Sequence, residues 1–399
     1  MNRAILLVLV LAGCKSELNP AYCAAHPTDT RCVQAGDGGV IDGDDFDGND
    51  AVAPAICLGT DPFKVCLREM PTTDTSVTVG INTGNSGLCL KPADTPIDWA
   101  AQNEPDACFI VGANVTLTGN LAVRGPRPLV LVATGTVTLT GQFDLAAHRN
   151  QFNTNQTPPG FNAAACDPVV TPAKADPNGA SGGGGGSLGT KGGNGGTGDN
   201  GTVAAGLAVD QTFPTVLHGG CPGAPGGLGD GQGTAGMTST GGWGGGVLYV
   251  LAQTSIVLTD GTIINASGAA GMAGNDRTGG GGGGSGGMIV LTAPLITAGS
   301  STFVMANGGG GAAGGTNASD GKNGTDPANG NPSMPAPGGT QGALAAGGNG
   351  YAFNGVAIDA TTGAVGTSGN GGGGGGGGAG LFVATMSLGA TAGVSPPPQ

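Results

Sequence analysis

The sequence predicts an all-β protein, and more specifically a right-handed parallel β-helix interrupted by long glycine-rich insertions. Three observations support this prediction: a repeated strand pattern, strands that are apolar on both faces, and an extreme glycine content. The chain has 399 residues, of which 87 are glycine, whereas tryptophan, tyrosine and phenylalanine number only 2, 3 and 10. So many glycines indicate turns, loops or close backbone contacts in place of an ordinary side-chain core of this size.

The strand repeat is clearest after residue 111. The segment Val115-Thr-Leu-Thr-Gly119-Asn-Leu121 returns as Val137-Thr-Leu-Thr-Gly141-Gln-Phe143, an offset of 22 residues. Longer units of three short strands begin at Leu129, Val247 and Met288, and a degraded unit begins at Leu381. Repeats of about 20 to 30 residues made of short strands indicate a solenoid, in which a core forms only when the coils stack.

The first strand of each unit is apolar on both faces, as in Leu129-Val-Leu-Val132 and Val247-Leu-Tyr-Val250. A strand has this composition when both of its faces are buried. One face therefore points into the core, and the other needs a cover. Glycine runs in the insertions 147–246, 268–287 and 307–380 adjoin such strands, so we expect extended glycine segments, or a partner surface, to provide that cover.

The first 13 residues have the order of a bacterial export signal. Met1-Asn-Arg3 is a short positive start, and residues 4–12 form an apolar run that is too short to span a bilayer as a mature helix. The following Leu11-Ala-Gly-Cys14 resembles the lipobox of bacterial lipoproteins, in which the cysteine is acylated and the peptide is cut just before it. The resemblance implies a signal peptide over 1–13 and a membrane anchor on Cys14. Lys15, where some bacteria place a retention aspartate, favours the outer membrane.

Three regions are predicted after the signal: a flexible acidic tether over 14–55, a disulfide-stapled N-terminal cap over 56–110, and the β-helix over 111–395. The tether contains a cluster of aspartates. Asp42, Asp44 and Asp47 are candidate calcium ligands because hard cations bind closely spaced carboxylates. Their spacing does not fit an EF-hand, so a solvated linker is favoured. No cofactor is predicted.

The cysteine count agrees with export. Nine cysteines are present, and assigning Cys14 to lipid leaves an even number, as disulfides require. Proximity along the chain favours four pairs, although other connectivities stay open: Cys23 with Cys32, Cys57 with Cys66, Cys89 with Cys108, and Cys166 with Cys221. Such bridges imply an oxidising compartment. A zinc site is the alternative, but the chain has no C-x-x-C pair.

The charge balance excludes one class of partner. The chain carries 13 basic and 26 acidic residues, a formal net charge of −13. Nucleic-acid binding normally requires a concentrated basic face, and none is visible in the sequence. We therefore predict no nucleic-acid partner.

The main enzymatic alternative is a polysaccharide lyase or hydrolase, because many such enzymes use the right-handed β-helix. They need carboxylates stacked on neighbouring coils. Asp144 and Asp260 are the acidic residues of the clear strand units, and alignment of the units places Asp144 opposite Ile264 and Asp260 at a turn. His148 and His218 lie in or beside the first insertion with no acid at a suggestive spacing. The sequence therefore predicts no catalytic activity.

Two patterns bear on binding without catalysis. Thr116, Thr118, Thr138 and Thr140 would form an outward ladder of the kind found in some ice-binding solenoids, but the ladder breaks at Val257, and threonine is common on exposed strands. Glycan binding would need exposed aromatic rings, for which the candidates are Trp243, Tyr249 and Tyr351.

The lipobox, the coil pattern and the glycine runs together resemble glycine-rich surface lipoproteins of Gram-negative bacteria, which lack assigned activities. Gly192-Gly-Asn-Gly-Gly196 also resembles the repeats of mycobacterial PE-PGRS proteins, from which the lipobox and the cysteines depart. The first resemblance implies a surface-anchored structural or adhesive protein of the cell envelope. Its partner would be a surface glycan or protein, and the alternative is a carbohydrate-active or carbohydrate-binding β-helix protein.

Overall fold

Two parallel β-sheets form the framework of the protein. The computed structural model describes residues 56–60, 62–85, 87–90, 96, 99, 102–149, 155–166, 171, 173–211, 214–229, 239–340, 345–389 and 393–399. Within these ranges the regular structure is strand, with two one-turn 3-10 helices at Ala163–Ala165 and Asp199–Gly201. In the described part of the chain, no helix has the length and apolar character needed to cross a membrane.

The strands are short, apart from two longer ones in the first repeats. In chain order they are β1 (Ile56–Leu58), β2 (Val65–Leu67), β3 (Thr75–Val77), β4 (Ile81–Asn82), β5 (Cys108–Gly112), β6 (Val115–Arg124), β7 (Leu129–Ala133), β8 (Thr136–Asp144), β9 (His148–Arg149), β10 (Asn155–Gln156), β11 (Val247–Ala252), β12 (Ser255–Leu258), β13 (Ile263–Asn265), β14 (Met288–Thr292), β15 (Ile296–Ala298), β16 (Phe303–Met305), β17 (Ala352–Phe353), β18 (Ala357–Ile358), β19 (Leu381–Ala384) and β20 (Gly393–Ser395).

The chain alternates between the two sheets. One sheet has five strands in the order β19-β14-β11-β7-β5, and the other has nine strands that include β6, β8, β12 and β13. Each pass adds a strand to the first sheet and then one or two strands to the second, in parallel register. The predicted repeat is confirmed, because Val115 pairs with Val137 and the register continues to Ala122 beside Asp144.

Glycine allows the long strands to bend. β8 pairs with β12 along its first half and with β13 along its second half. Gly119 and Gly141, which are paired across β6 and β8, both have φ of +105° at the junction between these halves. This backbone conformation is disfavoured for residues with a Cβ. The glycine of the V-T-L-T-G repeat therefore turns the chain between two flat stretches of the sheet.

The core lies between the two sheets. Leu117 and Leu139 of the nine-stranded sheet are fully buried and belong to one hydrophobic cluster with Leu131 and Val250 of the five-stranded sheet. Parallel strands place equivalent side chains above one another, so each coil extends the same apolar column. The alternating pattern of the sequence thus specifies which side chains enter the core.

The outer face of the five-stranded sheet is also covered, as its composition predicts. Val130, Tyr249 and Val290 on this face belong to a second buried cluster. Much of the cover comes from the hairpin of β1 and β2, which contributes Leu58, Phe63, Val65 and Leu67, joined by Trp99, Leu188 and Leu217. The first glycine insertion contributes part of the cover, through the side chains of Leu188 and Leu217.

The glycine-rich segments form a separate ordered layer, which we call the glycine bundle. Its extended segments lie within 180–189, 192–198, 205–208, 219–229, 239–246, 266–274, 279–287, 306–315, 321–325, 336–339, 345–350, 361–366 and 371–380. Some of them continue directly into strands of the five-stranded sheet, as at Gly246–Val247, Gly287–Met288 and Gly380–Leu381. The bundle is therefore an extension of the coils.

Backbone hydrogen bonds in the bundle repeat every three residues. Gly279, Gly282 and Ser285 donate to segment 219–229; Gly280, Gly283 and Gly286 donate to 371–380; Gly281, Gly284 and Gly287 donate to 266–274, with N–O distances of 2.8 to 3.1 Å. Carbonyl groups of the same segment accept bonds from three further segments, 180–189, 239–246 and 306–315. Three residues per turn is the period of a polyproline II helix, which has no internal hydrogen bonds. Segment 279–287 therefore lies among six neighbours that satisfy its backbone.

Close packing explains why these positions are glycine. A Cβ added at Gly283 would lie 2.0 Å from the carbonyl oxygen of Gly309, and one at Gly282 would lie 2.1 Å from that of Gly184. Such distances are far inside van der Waals contact, and the obstacle is backbone, which cannot move aside as a side chain can. A larger residue at the centre of the bundle would separate the segments and break their hydrogen bonds.

Three disulfides join the described segments. Cys57 is bonded to Cys66, Cys89 to Cys108, and Cys166 to Cys221. These three predicted pairs are confirmed, whereas Cys23 and Cys32 lie outside the described residues. Disulfides persist in oxidising environments, so the bonds indicate an extracytoplasmic protein.

Candidate functional site

A group of charged side chains lies where the long strands end. Arg124 is the last residue of β6, Asp144 is the last residue of β8, and His148 begins β9 four residues later. Because β6 and β8 are parallel neighbours, their carboxyl ends meet at one edge. Asp326, from the third insertion, completes the group, which we call the Asp–His cluster.

His148 bridges two carboxylates. Its Nε2 lies 2.9 Å from Oδ1 and 3.1 Å from Oδ2 of Asp144, and its Nδ1 lies 3.5 Å from Oδ2 of Asp326. Arg124 donates to the carboxylate and to the backbone carbonyl of Asp144. Both acids therefore have cationic partners within the cluster.

Asp326 is itself fixed by the backbone. It accepts hydrogen bonds from the amide of Ala270 at 2.7 Å and from the amide of Arg149 at 3.1 Å. The Arg149 guanidinium donates to the carbonyl of Ala270 through Nε at 3.0 Å and Nη2 at 2.8 Å. Ala270 belongs to the glycine bundle, so these contacts attach the bundle and the third insertion to the edge of the sheet.

The electrostatics keep the histidine charged. Hydrogen bonds to Asp144 and then Asp326 raise the pKa of His148 to about 9, although burial acts in the opposite direction. Burial by itself would raise the pKa of Asp144, but the hydrogen bond from His148 and the charges of His148 and Arg124 outweigh it and lower that pKa. At neutral pH the pair is therefore an imidazolium and a carboxylate.

This arrangement limits the chemistry of the cluster. A protonated His148 can donate a hydrogen bond but cannot accept a proton as a general base. A glycosidase needs one carboxyl group that is protonated near neutral pH, and the pKa of Asp144 is shifted the other way. The geometry favours a structural role, in which the cluster holds the third insertion on the edge of the sheet and can also contact a polar ligand.

A polar recess of about 310 Å³ opens beside the cluster. Its polar lining residues are Asn120, Gln142, Asp144, His148 and Asn329, and the apolar residues Leu121 and Ala122 of β6 complete its wall. Asn329 donates from Nδ2 to Oε1 of Gln142 at 3.1 Å. Amides and a charged pair could contact an uncharged polar ligand.

Asp144 and Asp260 are not brought together. Asp144 pairs with Asn265 in the register of β8 and β13, so the predicted alignment with Ile264 is wrong by one residue. Asp260 lies at the turn after β12, where it accepts hydrogen bonds from Ser300 Oγ at 2.9 Å and Ser301 N at 2.8 Å. These bonds lower the pKa of Asp260, as expected for a turn carboxylate.

The two histidines have different environments. His148 does have acidic partners, so the expectation that it lacks one is wrong; the four-residue spacing from Asp144 was the available signal. Arg124 and Asp326 were not identified, because nothing local in the sequence connects Asp326 to a strand so distant along the chain. The ring of His218 donates from Nδ1 to the carbonyl of Gly219 at 2.6 Å, and burial lowers its pKa.

Two of the three candidate glycan-stacking rings are buried. Tyr249 is 1% exposed and donates its hydroxyl to the carbonyl of Phe63 at 2.7 Å, and Tyr351 is 2% exposed. Trp243 is half-buried and stacks on Phe161, with ring centroids 4.9 Å apart and planes inclined by 12°. One face of Trp243 is therefore already covered.

The threonine ladder is in register. Thr116 pairs with Thr138 and Thr118 with Thr140, and Val257 lies beside Thr138 as the sequence indicates. Thr259 donates to the hydroxyl of Thr140 at 3.1 Å, so part of the hydroxyl surface is used within the sheet.

Several predicted sites fall outside the described residues. They are the lipidation residue Cys14, the pair Cys23 and Cys32, and the calcium candidates Asp42, Asp44 and Asp47. Among the residues that the structure does describe, no group of three or more histidine, cysteine, aspartate or glutamate side chains could hold a metal ion.

Comparison with known proteins gave no relative. No protein-family model matches the chain, and neither a curated protein nor a solved structure is significantly similar to it.

Proposed function

We propose that the protein is a surface-anchored structural or adhesive lipoprotein of the cell envelope, without catalytic activity. The observation that carries the proposal is the direct continuity of the two sheets with the glycine bundle. Strands and glycine segments share one hydrogen-bonded body, which disulfides and buried clusters reinforce. Such a body suits display of a rigid surface outside the cell.

We further infer that the alternation between sheets is that of a right-handed parallel β-helix. Connections between parallel strands of one sheet are right-handed in about 98% of cases. The chain makes such a connection when it leaves β7, passes through β8 in the other sheet and returns to the first sheet at β11. The stacked apolar column between the sheets supports this solenoid assignment.

The anchor is the part of the proposal with the clearest test. Two acyl chains hold a protein stably on a membrane, since each buried methylene contributes about 0.8 kcal/mol. In a Gram-negative host, we expect the wild-type protein to incorporate labelled palmitate, to fractionate with the outer membrane and to be cleaved by protease added to intact cells. The Cys14→Ser variant should incorporate no label and leave the membrane fraction.

The protease experiment tests surface display separately from the lipid anchor. Cleavage must be compared with that of a periplasmic control protein, which must survive in the same cells. If the wild-type protein is lipidated but is never cleaved while the control also survives, surface display is wrong, although the anchor stands.

The alternative function is a carbohydrate-active or carbohydrate-binding protein. The polar recess beside Asp144 and His148 favours it, because amides and a charged pair are groups that bind sugar hydroxyls. Catalysis would require Asp144 to take part in bond cleavage. The test is the release of reducing ends from polysaccharides. If Asp144→Asn abolishes this release and Asp260→Asn does not, the protein is an enzyme and the non-catalytic proposal is rejected.

A further inference from the structure

A second recess, whose described lining residues carry no charge, is formed largely by residues of the third insertion. It has a volume of about 740 Å³. Its walls include the rings of Phe303 and Phe353, and its rim includes Asn331, Ser333 and Asn354. We call it the aromatic recess. Asn329 lines the polar recess and Gly330 lines the aromatic one, so one short segment forms a wall of each.

Each ring is supplied by a strand. Phe303 begins β16, and Phe353 ends β17, which pairs with β18 in a two-stranded hairpin. Both side chains are half-buried, so each is held by its surroundings while part of it remains accessible. Ordered strands hold rings more rigidly than loops do, which lowers the entropy lost on binding.

Glycine makes space beside Phe303. In the register of β16 and β20, Phe303 pairs with Gly393. A Cβ at Gly393 would lie 2.5 Å from Cδ1 of the Phe303 ring. A larger residue at this position would displace the ring, so Gly393 preserves the shape of the recess.

The polar groups of the rim are neutral and partly fixed. Oδ1 of Asn331 accepts from the hydroxyl of Ser333 at 3.0 Å, and Oδ1 of Asn354 accepts from the amide of Val356 at 3.4 Å. These bonds use the carbonyl oxygen of each side chain. The NH₂ group of each amide is therefore the part that can donate to a ligand.

The chemistry of the lining selects a class of ligand. None of the described residues that line the aromatic recess is charged, so nothing there would compensate a phosphate or carboxylate for the loss of its water. Aromatic rings bind flat apolar faces, and fixed amides bind hydroxyl groups. A pyranose ring has both an apolar C–H face and equatorial hydroxyls.

From this combination we propose that the aromatic recess binds a short neutral oligosaccharide, with its sugar rings on Phe303 and Phe353 and its hydroxyls on Asn331 and Asn354. The volume lies within the range of about 300 to 1,000 Å³ that is usual for small-molecule sites. This proposal rests on the adhesive part of the proposed function and names the class of its partner.

The test uses the full chain carrying Cys14→Ser, kept in solution so that the result does not depend on the anchor. Cellotetraose, maltotetraose and tetra-N-acetylchitotetraose are titrated by calorimetry, with tetragalacturonate as the charged comparison. We expect at least one neutral tetrasaccharide to bind and tetragalacturonate to bind more weakly. Phe353→Ala should weaken the neutral ligand about tenfold or more, as for an aromatic anchor of a binding site.

The matched control is Phe161→Ala, which removes a ring that stacks on Trp243 outside the recess. The affinity of this variant for the neutral tetrasaccharide should stay within about twofold of that of the wild type. If Phe353→Ala unfolds, Phe353→Leu keeps apolar volume and removes the ring. The proposal is overturned if no neutral tetrasaccharide binds, or if neither Phe353 variant weakens binding more than Phe161→Ala. Adhesion to glycan-coated surfaces is compared between cells that carry the wild-type protein and cells that carry the Phe353 variant. Equal adhesion of the two would show that the recess is not the binding site, although the adhesive function would stand.

Discussion

The sheets and the glycine bundle are joined in one chain but are stabilised by opposite means. In the sheets, side chains such as Leu117 and Leu139 fill the space between layers, and burial of apolar surface is the main favourable term. In the bundle, segments such as 279–287 approach until backbone contacts backbone, and hydrogen bonds to neighbouring segments replace side-chain burial. We therefore expect the sheets to be intolerant of smaller residues and the bundle to be intolerant of larger ones.

The largest effect is expected from enlarging a central glycine. Gly283→Ala should lower the free energy of unfolding by about 3 kcal/mol, the upper range for an overpacked interior, because its Cβ would lie 2.0 Å from the carbonyl oxygen of Gly309. Denaturant unfolding measures the loss. Gly87→Ala is the control, since a Cβ there meets nothing within 4 Å. Equal stability of the two variants would mean that the bundle does not pack as described.

A slightly smaller loss is expected when a sheet residue is made smaller. Leu139→Ala should cost about 2 to 3 kcal/mol, at the lower end for deletion of a buried leucine, because Leu139 is fully buried between the layers. The same denaturation experiment applies. A Leu139→Ala protein as stable as the wild type would show that the sheets do not depend on side-chain volume.

The Asp–His cluster, which attaches the glycine bundle to the edge of the sheet, should make the free energy of unfolding depend on pH. The pKa of His148 is raised from 6.5 to about 9, so the folded state binds this proton more tightly than the unfolded state does. The stabilisation is fully present below about pH 6.5 and is lost as the pH rises through about 9. Because His148 is partly exposed, solvent reduces the effect to about 1 kcal/mol.

Unfolding at pH 6.5 and at pH 9.5 measures this loss in the wild type. In His148→Gln the difference between the two pH values should become smaller by the same amount. A pH dependence that is identical in the two proteins would show that the Asp–His cluster does not contribute to holding the bundle on the sheet.

The smallest effect is expected on the outward face of the nine-stranded sheet. Thr138→Val replaces a half-buried side chain of the ladder by one of the same shape, and the free energy of unfolding should change by less than about 0.5 kcal/mol. A loss above 1 kcal/mol would indicate that the ladder hydroxyls stabilise the sheet.

Local patterns predicted the sheets well. The V-T-L-T-G repeat specified the register of β6 against β8, and the doubly apolar strands indicated a covered sheet. The source of that cover was not predictable from composition, because nothing local in residues 56–67 connects them to strands that lie far along the chain. Pairing each cysteine with its neighbour along the chain predicted the three described disulfides correctly, although the sequence left other connectivities open.

The order of the glycine bundle and the partners of the Asp–His cluster could not be predicted from the sequence. A period of three cannot be read from a run such as Gly371–Gly378, because every residue is the same, and the order becomes visible only in the hydrogen bonds between segments. The partners in the Asp–His cluster come from β6, β8 and the third insertion. The four-residue spacing of Asp144 and His148 is the one local signal among these contacts, and it was not recognised as a pair.

The position of segment 371–380 has a consequence for how the chain folds. Gly372, Gly375 and Gly378 supply hydrogen bonds to segment 180–189, and Gly374 and Gly377 supply others to 306–315. Segment 279–287 at the centre of the bundle therefore lacks one of its six neighbours until nearly all of the residues up to 378 are available. Contacts so distant in sequence slow folding. Assembly of the bundle would be complete only after residue 378 had left the ribosome and, in an exported chain, had crossed the membrane.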